Sequence, residues 1–406
     1  MTATPRSGAR FAAAMMFFAN GCAFATWASR IPAVQQELHL SASVLGVALL
    51  MMGLGALTAM QVVARLIARF GSNRVTAAAC MLAAVLLVSI AFAQNLYQLC
   101  AALYLFGLCS GGMDVAMNAN AVTVERLLGK SIMASFHALW SIGSMCGALL
   151  GGLIAHENWG LLPHFAMVAC VVAAIGAIGT KFLVSESAVA AATECAETSD
   201  EGTRNVQAAE ASAPSQAIAL LAVVCLLAFV SEGAIADWSA LYMVRDLHTD
   251  AGLASIGLAC FSAAMTGGRL LGDGVIERFG DRATLTAGGG ITLVGVLVAI
   301  LPPHVWPLTL LGFFICGIGL STQVPITFRV SGRARPDNPG AGVAAVARAG
   351  YLGLLLGPPI LGFLADSFGL RLSLLSLSLL AALTVGCASR IPNMVGKSSD
   401  TAFGGA

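Results

Sequence analysis

Residues 216–243, QAIALLAVVCLLAFVSEGAIADWSALYM, form an apolar run interrupted by only two charged side chains, Glu232 and Asp237. About 20 helical residues cross a hydrocarbon core of roughly 30 Å. In lipid a helix satisfies its own backbone hydrogen bonds, whereas an open strand does not. Eleven similar runs predict an all-α integral membrane protein with twelve transmembrane helices, at residues 11–31, 43–64, 75–94, 97–122, 131–155, 162–184, 216–243, 252–273, 283–301, 305–328, 340–364 and 369–389.

The composition excludes most other classes of protein. Of 406 residues, 58% are hydrophobic and 10% charged, and the mean hydropathy is +0.86. A soluble protein is about a quarter charged, so soluble enzymes and nucleic-acid-binding proteins are excluded. Gly129-Lys130-Ser131 resembles the end of a phosphate-binding loop, but Val124 occupies the position of its first glycine. The 11 cysteines show no metal-ligand spacing. We therefore expect no enzymatic activity, no cofactor and no metal.

The distribution of basic residues predicts the orientation. Seventeen Lys and Arg side chains, Arg269 among them, fall on the side of the two termini, and three fall on the opposite side. Basic residues are enriched on the cytoplasmic side of membrane proteins. Both termini are therefore predicted to be cytoplasmic.

An acidic segment divides the chain. Residues 185–215 are rich in Ala, Ser, Thr and Glu and contain one basic side chain, Arg204. Such a composition cannot bury a core and predicts a flexible cytoplasmic linker. The predicted organisation is a six-helix bundle at 1–184, this linker, a second bundle at 216–390 and a cytoplasmic tail at 391–406.

The two bundles repeat each other in sequence. Trp27 precedes Gly46 by 19 residues, and Trp238 precedes Gly257 by the same spacing. Two similar bundles joined by a linker are typical of transporters with a binding site near the membrane centre. A basic turn ends the second and the eighth span, and its conspicuous members are Arg69, Gly71, Arg74, Arg278, Gly280 and Arg282.

These turns, with the twelve spans, resemble the cytoplasmic loop signature of the major facilitator superfamily (MFS). Ala64 and Ala68 stand where the signature usually carries Gly and Asp. The gating salt bridge that this Asp makes elsewhere is therefore not expected in the first half. The resemblance implies the MFS fold, a small-molecule substrate, and alternating access around a site between two pseudo-symmetric halves.

Three shorter stretches carry a narrower resemblance. Residues 111–118 (GGMDVAMN), 133–143 (MASFHALWSIG) and 232–238 (EGAIADW) are similar to a largely uncharacterised bacterial inner-membrane branch related to the fucose/proton symporters. In those symporters an acidic residue of the fourth span is implicated in proton coupling. The resemblance implies the same role for Asp114 and a location in the bacterial plasma membrane.

Asp114 also stands out by its position. A charge within a span costs at least about 2.5 kcal/mol, so it normally faces a wet cavity or a partner. Asn118 lies one turn later on the same helix face. A carboxylate removed from water holds a proton more readily than an exposed one. Two interpretations follow: proton or substrate binding, or a static ion pair with Arg348.

Glu232 falls near the centre of the seventh span and is predicted, with Asp114, to couple protons. Other polar and aromatic side chains within spans are candidates for substrate binding: Asn20, Asn118, His137, Trp140, Asp237, Gln323, Arg348 and Tyr351. Alternatively, His137 is a packing residue and Arg348 extends to the membrane surface. Trp27 and Trp238 are expected in an interfacial belt. Pro325 is expected to open the backbone of the tenth span.

The sequence thus predicts a monomeric secondary transporter driven by a proton gradient, taking up a polar or sugar-like compound. Two alternatives remain open. One is proton-driven efflux of metabolites or drug-like compounds. The other is a membrane sensor that shares the fold without transporting.

Overall fold

A computed structural model of the chain describes residues 6–129, 132–184, 215–334 and 339–391. The predicted acidic linker, except residue 215, and the predicted tail beyond residue 391 lie outside the described residues. Within those ranges the regular secondary structure is helical, and twelve helical segments are long and apolar enough to cross a membrane. The predicted fold class and number of spans are confirmed.

The described residues of the first half form seven helices: α1 (Arg6–Ser29), α2 (Ile31–Glu37), α3 (Ala42–Phe70), α4 (Ser72–Ile90), α5 (Leu96–Leu128), α6 (Met133–His156) and α7 (Leu161–Phe182). Those of the second half form eight: α8 (Ser215–Arg245), α9 (Ala251–Phe279), α10 (Asp281–Ile300), α11 (Trp306–Leu320), α12 (Gln323–Arg333), α13 (Pro339–Phe368), α14 (Leu370–Leu375) and α15 (Leu377–Ala388). The short α2 is not a span and was not predicted. The pairs α11–α12 and α14–α15 each make one span.

The tenth span is interrupted between α11 and α12. Its helix stops at Leu320 and resumes at Gln323. Pro325 has no N–H group and leaves the Ser321 carbonyl without its helical donor. The helix break is therefore present as predicted, whereas its expected opening toward the central cavity is not seen, because Gln323 beside the break bonds to Thr292 and Gly319 within the second half.

The sequence repeat is also a structural repeat. Gly71 and Gly280 end α3 and α9 with φ of 84° and 81°, and each donates its N–H to a carbonyl four residues back, at 2.8 Å. Arg69 and Arg278 each lie over the ring of the following phenylalanine, at 5.2 and 5.5 Å. Only glycine adopts this positive φ without strain. The same turn chemistry therefore ends the second span of each half.

The two tryptophans of the repeat are not in an interfacial belt. Trp27 and Trp238 are both 0% exposed and belong to the packed core. A belt residue needs contact with the membrane–water boundary, so that prediction was wrong. The core cluster that contains both rings also contains Ile31 and Val34 of α2.

Closely spaced glycines pack α6 against α1. Gly143, Gly147 and Gly151 repeat every fourth residue, and each directly faces α1. A Cβ on Gly147 would lie 2.5 Å from the Cys22 carbonyl oxygen. Small residues at this spacing let two helices approach until their backbones touch.

Replacing Gly147 with Leu is expected to destabilise the first half by about 3 kcal/mol or more, because the side chain meets backbone rather than a movable side chain. Thermal unfolding of purified protein in detergent measures the effect. Gly274→Leu is the matched control, because nothing lies within 4 Å of a Cβ at this position. Equal melting temperatures for the two variants would contradict the assigned α1–α6 packing.

The halves contact each other from the membrane centre to the side opposite the chain termini, which we call the distal side. On α3, a Cβ on Gly46 would lie 2.6 Å from the Pro358 carbonyl oxygen of α13. On α6, a Cβ on Gly152 would lie 2.7 Å from the Gly252 carbonyl oxygen of α9. No hydrogen bond or ion pair within the described ranges joins the halves near the terminal side. The distal side is closed in this conformation.

Two polar contacts complete the closure. The Asp366 carboxylate of α13 accepts hydrogen bonds from the Ala42 and Ser43 N–H groups, both at 2.9 Å, at the N-terminus of α3. At the N-terminus of α9, Asp250 caps the helix through the Leu253 N–H and lies 3.8 Å from His156 of α6. The Leu253 N–H lowers the pKa of Asp250, and His156 acts in the same direction. Each contact joins a helix N-terminus of one half to a helix end of the other.

Candidate functional site

Arg269 joins the two halves at the middle of the bundle. Its guanidinium donates to the Ser141 hydroxyl of α6 at 2.8 Å and to the Glu232 carboxylate of α8 at 3.3 Å. The Arg269 and Glu232 side chains are 15% and 22% exposed. This bridge, Ser141–Arg269–Glu232, links α6 of the first half to α8 and α9 of the second.

The assignment of Arg269 to the cytoplasmic surface was wrong. The apolar run appeared to end near residue 273, but α9 continues to Phe279 and leaves Arg269 inside the span. The other basic residues within the described ranges keep the predicted distribution between the two sides. Apart from Arg269, residues 252–272 contain no charge, and this isolation was the signal that could have identified it.

Asp114 lies on α5, the helix of the fourth span. Asn118 donates its amide to the Asp114 carbonyl at 2.8 Å and to the Asp114 carboxylate at 3.3 Å. Both side chains are half-buried. Tyr351 of α13 lies within electrostatic reach of Asp114, so groups from both halves meet here.

The predicted alternative of a static Asp114–Arg348 pair is contradicted. Arg348 is exposed, and the described part of the chain contains no ion pair between the two. Arg348 lies on the third turn of α13, close to the terminal side, where a long side chain reaches the surface. The carboxylate of Asp114 thus has an amide partner and no cation among the described residues.

Asn20 and Trp140 form a second polar contact beside the bridge. Asn20 donates its amide to the Ser110 carbonyl at 3.0 Å and accepts from the Trp140 indole at 3.0 Å. The Phe24 ring lies 6.0 Å from that of Trp140. Asn20 therefore uses both ends of its amide within the protein and holds Trp140 in place.

His137 lies near the site, whereas Gln323 does not. His137 packs edge-on against Phe17, with ring centroids 5.3 Å apart, and is within electrostatic reach of Arg269. Gln323 is 1% exposed and bonds to the Gly319 carbonyl at 3.1 Å, beside the helix break within the second half. Asp237 is 8% exposed and is not part of the bridge.

The basic turns lie far from this centre. In the second half, Asp281 forms an ion pair with Arg329 and lies 3.7 Å from Arg333, which connects the turn to α12. In the first half Ser72 occupies the equivalent position and accepts a hydrogen bond from Asn120 at 3.0 Å. Arg74 and Arg282 are exposed. These residues fix helix ends on the side of the chain termini rather than contact the central groups.

No group of three or more His, Cys, Asp or Glu in the described ranges is arranged to hold a metal ion. The charged and polar groups at the centre form hydrogen bonds and an ion pair. Asp114, Asn118, His137, Trp140 and Ser141 come from the first half; Glu232, Arg269 and Tyr351 come from the second. Sequence reasoning missed Ser141 and Arg269.

Comparisons with known proteins agree with this architecture. A family model described as Major Facilitator Superfamily matches residues 11–236 and 220–393. An uncharacterised transporter, y4wD, of Sinorhizobium fredii is 34% identical over 370 residues, covering 90% of this chain and 94% of that protein. An uncharacterised MFS-type transporter of Yersinia pestis is 31% identical over 378 residues, covering 93% and 94%.

Two solved structures share the fold at low sequence identity. The nucleoside transporter NupG aligns with a TM-score of 0.72 at 12% identity, covering 94% of this chain and 98% of that one. A bacterial homologue of the lysosomal transporter Spinster, in an inward-facing and occupied conformation, aligns with a TM-score of 0.72 at 14% identity, covering 96% and 97%.

Proposed function

Because the chain belongs to the major facilitator superfamily, and is thus a membrane transporter rather than an enzyme, we propose that it takes up a small polar solute together with protons. The observation that carries this proposal is the convergence of polar groups from both halves at the centre of an apolar bundle. The Ser141–Arg269–Glu232 bridge joins the two halves, and Asp114, with Asn118 beside it, lies within electrostatic reach of Tyr351 of the second half. Buried polar groups of this kind mark solute and proton pathways.

Asp114 is the primary proton acceptor in this proposal. Its carboxylate is half-buried, has the Asn118 amide as its partner and has no cation beside it in the described ranges. Desolvation disfavours the charged form unless a cation or a proton compensates it. Proton binding at Asp114 therefore removes the free-energy cost of a charged, desolvated carboxylate when the site is closed to both sides of the membrane.

The remaining groups suit a hydroxylated solute. Amide, hydroxyl and phenol groups at Asn118, Ser141 and Tyr351 donate to or accept from hydroxyls. The Trp140 face offers an apolar surface for a sugar-like ring. The Arg269–Glu232 pair connects this binding to protonation, because a solute that draws Arg269 away leaves Glu232 ready to accept a proton.

The closed distal side supports alternating access. With the basic residues towards the cytoplasm, the distal side is periplasmic, and this conformation opens inward. The transported solute then enters from the periplasm after the distal contacts separate. We place the protein in the bacterial inner membrane as a monomer. The second candidate function is export of a solute through the same site. A net solute flux from the cytoplasm to the periplasm would favour it.

Asp114→Asn tests the proposal. The variant is expected to lose solute accumulation driven by a pH gradient by at least tenfold, because the amide cannot carry a proton. Solute exchange between two equilibrated compartments should persist, because it needs no net proton movement. Asp273→Asn, an exposed carboxylate of α9, is the matched control. Normal accumulation in Asp114→Asn would remove this residue from coupling.

A further inference from the structure

Asp237 is a buried carboxylate that the central site does not use. It is 8% exposed, and it has no hydrogen bond or ion pair with any described residue. Glu232, five residues earlier on α8, is already paired with Arg269. At about 100° per residue the two carboxylates project in directions about 140° apart. Asp237 is therefore not part of the bridge.

No neighbouring group compensates a charge on Asp237. On α8 itself the nearest ionisable side chains are Glu232 and Tyr242. Towards the distal surface, α8 and its connection to α9 also carry Arg245, Asp246, His248 and Asp250. The helices packed against α8 and their connections carry charged or titratable groups between the membrane centre and the distal surface: Arg30, Glu37, His39, Arg269, His304, Tyr351, Asp366 and Arg371. None of these pairs with Asp237 in the described structure. Asp366 is occupied by the α3 N-terminus and Arg371 by the Ile300 and Leu301 carbonyls.

Asp237 lies one turn beyond Gly233, whose Cβ would lie 3.3 Å from the Leu354 side chain of α13. A protonated carboxyl group can donate a hydrogen bond, whereas a carboxylate only accepts one.

We infer that Asp237 is a second proton-binding site, and that the distal side closes with a proton on it. A charged, unpaired carboxylate inside a span is costly, and a bound proton removes that cost. At the distal side α8 packs against α1 and α2 of the other half. Separation of the halves admits water to α8 and lets Asp237 release its proton outside.

The coupling between proton binding at Asp237 and distal closure has a defined sign and size. Closure takes up one proton, so low pH favours the distal-closed state and high pH favours opening. One linked proton changes the ratio of closed to open molecules by at most tenfold per pH unit. The inference rests on the proposed alternating access, but it requires no knowledge of the solute.

Hydrogen exchange of the full-length protein in nanodiscs tests whether distal closure takes up a proton at Asp237. The readout is the protection factor of the distal end of α3, residues 42–49, between pH 5.5 and 8.5. A protonated His156 would also strengthen its contact with Asp250 across this interface. All proteins are therefore compared in a His156→Gln background. We expect the protection factor to fall by up to tenfold per pH unit once the pH exceeds the midpoint at which Asp237 loses its proton.

Asp237→Asn should stay protected at every pH, because its side chain is permanently neutral. Asp237→Glu should keep the slope with a displaced midpoint, and Glu157→Gln, an exposed distal control, should match the background protein. A flat profile in the background protein, or an unchanged slope in Asp237→Asn, would overturn the inference. A normal slope with no solute flux in vesicles would instead refute the proposed function alone.

Discussion

Replacing Arg269 with Gln is expected to abolish transport and to destabilise the protein by about 3–5 kcal/mol. The substitution removes the only cation beside Glu232 in the described structure and leaves its carboxylate buried without a partner. It also removes the hydrogen bond to Ser141, which joins the halves at the candidate site. Solute uptake in vesicles and thermal unfolding measure the two effects.

A double variant separates the structural effect from the functional one. Arg269→Gln with Glu232→Gln should recover most of the lost stability, because no uncompensated charge remains. Transport should remain at least tenfold below wild type, because the bridge cannot form or release a proton. Arg282→Gln, exposed in the basic turn that follows α9, is the control. A single variant with normal transport would show that the bridge is not part of the site.

Asp366→Asn is expected to loosen the distal closure by roughly 5- to 30-fold in the ratio of closed to open molecules. The carboxylate accepts two charge-assisted hydrogen bonds at the N-terminus of α3, each at 2.9 Å. At this exposed position we assign the charge about 1–2 kcal/mol. The amide keeps one acceptor and loses the charge that a helix N-terminus favours.

Distance distributions between spin labels at Gln36 and His248, in a cysteine-depleted protein, report the opening. These residues lie on the distal side of the first and second half. Ser367→Ala is the matched control, since it is adjacent, exposed and without a described hydrogen bond. If the long-distance population rises equally in both variants, Asp366 does not hold the distal side closed.

The spans were predictable because hydropathy reports them directly, and the central position of Asp114 and Glu232 followed from counting along helices. The position of Arg269 did not follow, because α9 continues six residues beyond the apolar run. The burial of Trp27 and Trp238 was also missed, since hydropathy cannot distinguish a lipid-facing ring from one covered by other helices.

Contacts between the halves lay beyond sequence reasoning altogether. Asp366 and Ala42 are 324 residues apart, and nothing in either local pattern indicates the other. The glycine spacing in α6 is typical of close helix packing, but it does not indicate that α1 is the partner helix. Local chemistry thus indicates which residues pack tightly, whereas the partner depends on the tertiary arrangement.

The central claim is that one solute and protons cross together through this site. The most direct measurement uses proteoliposomes with a trapped pH-sensitive dye, to which sugars, amino acids and drug-like cations are added in turn. The account predicts that one polar, hydroxylated solute evokes a proton influx that Asp114→Asn abolishes. Uptake of such a solute at the normal rate with no proton movement would contradict it.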